Sequence, residues 1–195
     1  MKNRVLWIVL LVIALIGVAA FSAWLTTQQR RQAEDLPPVV AEDTPIAEQP
    51  AENRREVVIY FAGSDGRLHG ERSEIPAHDD PTRLANEVLT LLLAGPTQPS
   101  LMPALPTNVE LGGVWLLDDG VAFVDLRLPE DQPIPSVGSA YEFTMLYSLV
   151  NTVSENVPGV TAVAPMWNGR QPLTFAGHID TSEPIAPDRS MIATP

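Results

Sequence analysis

The 195-residue chain contains no cysteine, a single lysine (Lys2) and only three histidines. Without cysteine it can form neither a disulfide nor a thiolate metal site, and no lipid can be attached to an N-terminal cysteine. With Lys2 as its lone lysine it also lacks a phosphate-binding loop of the Gly-x-x-x-x-Gly-Lys type. His69, His78 and His178 are too scattered to predict a metal site. We therefore expect no cofactor and no bound metal.

Basic residues are also scarce, because 12 Lys and Arg face 24 Asp and Glu and leave a formal net charge of −12. Most of the acids, but fewer than half of the basic residues, fall within residues 56–183. Such a surface repels the phosphates of nucleic acids and anionic lipid headgroups. The composition therefore excludes a nucleic-acid-binding role.

One long apolar run is present, over residues 5–25, with no charge and no proline. A helix of that length crosses the hydrocarbon core of a bilayer, which is about 30 Å thick. The run follows Lys2 and Arg4 and ends near Trp24, a side chain suited to the membrane interface. We predict an uncleaved signal-anchor over residues 1–27, in preference to a cleaved signal peptide. The amino terminus would lie inside the cell and the remainder in the periplasm or envelope space.

The composition of two segments predicts that they are unstructured. Residues 28–55 combine four prolines with repeated acids, which is typical of an extended, solvated linker. Residues 184–195 are also rich in proline and are predicted to form a disordered tail. Between them, residues 56–183 have the size of one ordinary domain.

Three two-residue turn signals divide this domain, and each lies between strand-like runs. They are Asp65-Gly66, Asp119-Gly120 and Asn168-Gly169. Each predicts a β-hairpin. In the third, the run from 160 to 167 would pair with the run from 171 to 175.

Two helices are predicted between the hairpins. The first has Asp80 as its N-cap, Pro81 in its first turn and Gly95 at its end. The second would begin with a capping box formed by Ser139 and Glu142. Its predicted apolar stripe consists of Phe143, Leu146, Tyr147, Val150, Val153 and Val157.

The order of hairpin, helix, hairpin, helix, hairpin predicts a layered α+β domain. A single apolar stripe on each helix indicates that the helices pack on one face of a mostly antiparallel or mixed sheet.

No catalytic constellation stands out in this domain. Asp118 and Asp119 are adjacent on a turn, where aspartate is favoured for backbone reasons. Trp115 and Trp167 are candidate binding residues if they are exposed, because an indole ring can stack on a sugar or anchor a protein partner. The alternative is that both rings lie in the core.

The ordered motifs of residues 57–185 resemble the GerMN domain, a sporulation and spore germination domain of bacterial envelope proteins. The resemblance rests on Tyr60-Phe61, Asp65-Gly66-x-Leu68, Leu91-Leu92-Leu93-Ala94-Gly95-Pro96, Ala104-Leu105-Pro106, Gly120-x-Ala122-x-Val124-Asp125-Leu126, Leu149-Val150-Asn151-Thr152-Val153 and Gly177-x-x-Asp180-x-Ser182-x-Pro184.

The resemblance implies a non-catalytic module outside the cytoplasmic membrane, with a fold similar to small α/β ring-building modules. Relatives take part in spore-envelope assembly, but the domain also occurs in bacteria that do not sporulate. Many relatives resemble lipoproteins, whereas this chain has no cysteine to carry a lipid.

Three functions follow as hypotheses. The first is a membrane-anchored module that binds envelope proteins or itself, with no enzymatic activity. The second is a binder of peptidoglycan or another polysaccharide. The third is a cell-wall hydrolase, which needs two carboxylates about 5–10 Å apart in a cleft.

Overall fold

The computed structural model describes residues 53–130 and 132–194. Its elements are, in chain order, β1 (Arg54–Gly63), β2 (Leu68–Pro76), α1 (Pro81–Ala94), β3 (Leu101–Met102), β4 (Glu110–Leu116), β5 (Val121–Arg127), α2 (Ser139–Asn156), β6 (Ala162–Trp167) and a short 3₁₀ turn (Arg189–Met191). The predicted anchor and most of the predicted linker lie outside the described residues. Within the described ranges, neither helix is both long and apolar enough to cross a bilayer.

The strands form two three-stranded sheets rather than the one sheet that was predicted. In the first sheet the order is β2-β1-β3 and both pairings are antiparallel. In the second the order is β4-β5-β6, with β4 antiparallel and β6 parallel to β5. The α+β class is confirmed. Both sheets and both helices contribute to one hydrophobic core, which includes Phe61, Leu89, Val124, Leu149 and Trp167.

Two of the three predicted hairpins form as expected, with Gly66 and Gly120 at positive φ in the turns. The third is confirmed only at its turn, where Trp167 and Arg170 exchange backbone hydrogen bonds around Asn168 and Gly169. No strand follows, because β6 pairs in parallel with β5 and residues 171–175 leave the sheet.

Helix α1 has the predicted ends. The Asp80 side chain accepts a hydrogen bond from the backbone N–H of Thr82, and Pro81 occupies the first turn. Gly95 ends the helix with φ 86° and ψ 173°. This conformation has the expected positive φ but is not the left-handed helical one, and it is essentially restricted to glycine.

Helix α2 begins differently from the prediction. Its N-cap is Gly138, which has no side chain to bond the first turn, so the capping box of Ser139 and Glu142 does not form. Glu142 instead points into the protein and is fully buried. The predicted apolar stripe is also wrong at Phe143, which is exposed. Several polar side chains of the helix are buried instead.

Three of these polar residues cover the part of β1 that the two-residue strand β3 leaves unpaired. The Ser148 hydroxyl donates to the C=O of Tyr60, whose N–H donates to Thr152 Oγ1 over 3.0 Å. The Asn156 amide accepts from the Val58 N–H over 2.9 Å and donates to the Val58 C=O over 2.7 Å. Helix α2 thus satisfies four backbone groups that a neighbouring strand would otherwise bond, and it protects this edge from pairing with another chain.

Residues 184–194 were predicted to be a disordered tail, but in the structure they pack on the domain. Ile185 and Val163 exchange two backbone hydrogen bonds, which adds one more pairing beside β6. Farther along, Asn151 of α2 bonds both backbone groups of Asp188, and Ala193 donates to Leu68. Prolines prevent a regular strand here, but they do not prevent the segment from packing on the domain.

Candidate functional site on the outer face of the mixed sheet

The mixed sheet has one face in the core and one face that no helix of the described chain covers. Side chains alternate along each strand, so Val114, Val124 and Val163 point into the core. The opposite side chains are outside the core cluster and line up in register, and among them Asp125 and Ala164 are buried. We call these residues the outer face: Gly113, Trp115, Leu117, Val121, Phe123, Asp125, Ala162, Ala164 and Met166.

The most exposed apolar groups of the outer face are Trp115 and Leu117, with 50% and 49% of their surface accessible. The Trp115 ring lies along its own strand over Gly113, where an added Cβ would be 2.9 Å from the ring. Phe123 is the cross-strand partner of Trp115, and Ala164 comes next on β6. Trp115 is therefore exposed, as a binding role for its ring requires.

Trp167, the second candidate binding residue, is not exposed. Only 2% of its surface is accessible, and its ring stacks on Phe175 with centroids 5.3 Å apart. Its indole N–H donates to the C=O of Phe175 over 2.9 Å. Trp167 is thus a core residue, which fixes the chain where it leaves the sheet after β6.

Acidic groups border the outer face at both ends. Asp118 and Asp119 form the exposed turn between β4 and β5, and Asp119 accepts a hydrogen bond from the Val121 N–H. At the other end Glu110 is the cross-strand partner of Arg127. Arg127 is the only basic residue in the three strands, and its guanidinium already bonds the carboxylate of Asp125 over 3.2 Å. The rim of the outer face is therefore net negative.

Glu142 is the best-partnered carboxylate of the described chain. Its Oε1 accepts from the backbone N–H groups of Ala176 (2.6 Å) and Ile179 (2.9 Å). Its Oε2 accepts from the N–H (2.8 Å) and Nδ1 (2.9 Å) of His178. Burial raises the pKa of Glu142, but these bonds to the ionised form outweigh burial and hold the pKa below its usual value.

Two more buried acids have the same kind of role. Glu71 accepts from the backbone N–H groups of Thr97 and Gln98, which fixes the loop after α1. Burial raises the pKa of Glu71, but these bonds and the Thr97 hydroxyl lower it below its usual value. Asp125 accepts from the N–H of Gly169 over 2.7 Å and so fixes the turn after β6. Each carboxylate binds a loop of its own protein.

The histidines do not assemble a metal site. His69 bonds the carboxylate of Asp65, His178 bonds Glu142, and His78 lies 3.5 Å from Glu87. In residues 53–130 and 132–194, no three His, Asp or Glu side chains are grouped closely enough to hold a metal ion.

A second surface feature is an apolar cleft of about 440 Å³ beside the start of α2. Met102 and Tyr141 line it, and both are partly exposed. It shares no residue with the outer face.

The sequence predicted Trp115 as a candidate binding residue, and the structure shows that it is exposed, but most of the outer face and all three loop-binding carboxylates were missed. The run from Val114 to Leu117 is continuously apolar, which is typical of a strand buried on both faces. That signal could have indicated a second apolar face. The partners of Glu142 lie more than thirty residues away in sequence, so no local pattern predicts them.

Comparison with known proteins gives a consistent assignment. No curated protein sequence matches the chain. The solved tandem GerMN domains of the sporulation protein GerM from Bacillus subtilis are 23% identical, with a TM-score of 0.51, and the match covers 72% of this chain and 48% of that one. This chain thus spans about half the length of the tandem structure.

The first GerMN domain of the same protein is 15% identical, with a TM-score of 0.49 and coverage of 70% of this chain and 98% of that one. The likeness to the tandem structure supports the fold.

The Germane family model, described as sporulation and spore germination, matches residues 58–172. That match covers more than half of the sequence, so the chain belongs to the Germane family of GerMN-type domains.

Proposed function

We propose that this protein is a non-catalytic module that binds another envelope protein through the outer face of its mixed sheet. It would be held at the cytoplasmic membrane by residues 5–25, with the domain outside the cell membrane. The observation that carries the proposal is an apolar sheet face, with Trp115 and Leu117 half exposed, that no helix of the described chain covers. A face of this kind gains free energy when a partner buries it.

Two further observations support the proposal. The family to which the chain belongs is described by sporulation and spore germination, and that description names no reaction. The three buried carboxylates are engaged with backbone N–H groups of their own loops. Burial of Trp115 alone in a protein interface would contribute roughly 2 kcal/mol or more, as is typical of central aromatic anchors.

The part of the predicted linker that precedes β1 suits this role, whereas Arg54 and Arg55, also predicted as linker, belong to the strand. A flexible tether restricts the domain to a shell near the membrane and raises its effective concentration toward a membrane partner. Weak binding at the outer face would therefore suffice in the cell.

Site-specific photocrosslinking in cells tests the proposal. A photoreactive residue would replace Leu117 in the full-length chain, and the control would place it at Met102, which is similarly exposed (51%) on the antiparallel sheet. We expect a discrete protein adduct from position 117 and none of that mass from position 102. The same adduct from both positions, or none from 117, would contradict the proposal.

Glycan binding is the second candidate, favoured by the exposed indole of Trp115. A flat aromatic ring can stack on a sugar of the cell wall. In that case the full-length protein would pellet with isolated peptidoglycan, and Trp115→Ala would abolish pelleting. Absence of pelleting at low salt would remove this candidate.

A further inference from the structure

We propose that the partner of the outer face is an amphipathic helix that carries lysine or arginine at both ends of an apolar stripe. This inference rests on the proposed function and adds the chemistry of the partner. It follows from the shape of the outer face and from the sign of the charges around it.

The dimensions of the outer face suit one helix. Three neighbouring strands at about 4.8 Å spacing give a face about 10 Å wide, which is close to the diameter of a helix. The row of Trp115, Phe123 and Ala164 runs across this width in register. Trp115 is the exposed member of this row, Phe123 is partly exposed and Ala164 is buried. A docked helix would therefore contact the row through its β4 and β5 side chains. The apolar stripe of a helix packs on such a surface.

The charges favour a basic partner. Glu110 and Asp118 stand at opposite ends of the outer face, and both are exposed. They are separated by eight positions, or roughly 25 Å of extended chain, which matches a helix of about 16 residues. Arg127 cannot balance them because it is already bonded to Asp125. Cations at both ends of a docked helix would therefore meet an excess of carboxylates, because Arg127, the cross-strand partner of Glu110, is the only basic residue of the three strands.

The same charges argue against the other occupants. A second copy of this chain would bring acidic rims together in a protein of net charge −12, and like charges across an interface oppose association. An anionic lipid surface would be repelled for the same reason. The test below includes a second copy as one of its outcomes.

The test uses the full-length protein in nanodiscs of neutral phosphatidylcholine, with empty nanodiscs as the baseline. The probe is a fluorescent helical peptide of about 16 residues with an apolar leucine face and lysines at its polar positions. A matched peptide has glutamate in place of every lysine. Fluorescence anisotropy gives Kd at about 50 mM and about 300 mM salt.

We expect the lysine peptide to bind about tenfold more tightly than the glutamate peptide, with affinity that falls as salt rises. E110Q/D118N should weaken its binding about threefold or more. The control E74Q/D79N removes two exposed charges elsewhere and should leave Kd unchanged. W115A should weaken binding about tenfold.

Equal binding of the two peptides, or equal effects of the two acid double variants, would overturn the inference. If W115A then weakened both peptides alike, the outer face would remain a docking site and only the basic partner would be wrong. If W115A changed neither peptide's affinity and position 117 gave no adduct in cells, the proposed function would fail as well. Concentration-dependent dimers that W115A abolishes would instead identify a second copy as the occupant.

Discussion

The carboxylate of Glu142 in α2 accepts a 2.6 Å hydrogen bond from the backbone N–H of Ala176, more than thirty residues farther along the chain. The same carboxylate binds the next turn of this loop through His178 and Ile179. A fully buried acid thus organises the segment that follows the mixed sheet. A local pattern had predicted Glu142 as part of a helix cap, so its role in the fold depends on tertiary contacts.

Replacing Glu142 with glutamine should destabilise the protein by about 2–3 kcal/mol. Glutamine keeps one acceptor oxygen but turns an NH₂ group toward backbone N–H donors, which leaves buried groups without partners. Urea unfolding of the full-length protein, followed by circular dichroism, measures this change. Glu87→Gln is a control on α1, and an equal effect of both substitutions would contradict the assigned role of Glu142.

The stability contributed by Glu142 should depend on pH in one direction. Its pKa is lower in the folded protein than in the unfolded chain, so the folded state favours the ionised form. The contribution is complete above the unfolded pKa of about 4.3 and is lost as the pH falls through the lower folded pKa. The urea midpoint should drop over that range in the wild type and less steeply in E142Q. Parallel curves for the two proteins would refute this linkage.

Asn156→Ala should cost about 2 kcal/mol or more because it leaves the N–H and C=O of Val58 without partners on the covered edge of β1. Ser154→Ala is the matched control on the same helix. The Ser154 hydroxyl is buried with no hydrogen-bond partner in the described chain, so its removal should be neutral or stabilising. Thermal unfolding measures both variants, and a similar loss in each would show that Asn156 has no special role.

Gly95→Val should destabilise the domain by about 1–3 kcal/mol because valine cannot readily adopt φ 86° with ψ 173°. Gly138→Ala is the control at the other helix. Gly138 has φ −65°, and an added Cβ would meet no atom within 4 Å. Unfolding midpoints of the two variants should therefore separate clearly. An unchanged midpoint for Gly95→Val would show that this end of α1 can adopt another conformation.

Much of the fold could be predicted because its signals are local. The turns at Gly66 and Gly120 need positive φ, and the caps Asp80 and Gly95 act on neighbouring residues, so short motifs identify them. The division into two sheets could not be predicted in this way, since it depends on which strands pair over long range. The same holds for the partners of Glu142 and for the burial of Trp167.

Gly113→Ala should displace the indole of Trp115, because the added methyl carbon would lie 2.9 Å from the ring. Fluorine NMR of protein labelled with 5-fluorotryptophan reports this directly, with Trp115→Phe used to assign the signal. The Trp115 resonance should move, and the resonance of buried Trp167 should not. If both signals were unchanged, the ring would not rest on Gly113 in solution.

The central claim is that the outer face binds an envelope protein, and loss of binding on removal of one side chain tests it most directly. The full-length protein would carry the photoreactive residue at position 117 together with either Trp115→Ala or Phe143→Ala, which removes an exposed aromatic ring on α2. The account predicts that the yield of the crosslinked partner in cells falls about tenfold with Trp115→Ala and stays constant with Phe143→Ala. Equal yields in both variants would contradict the account.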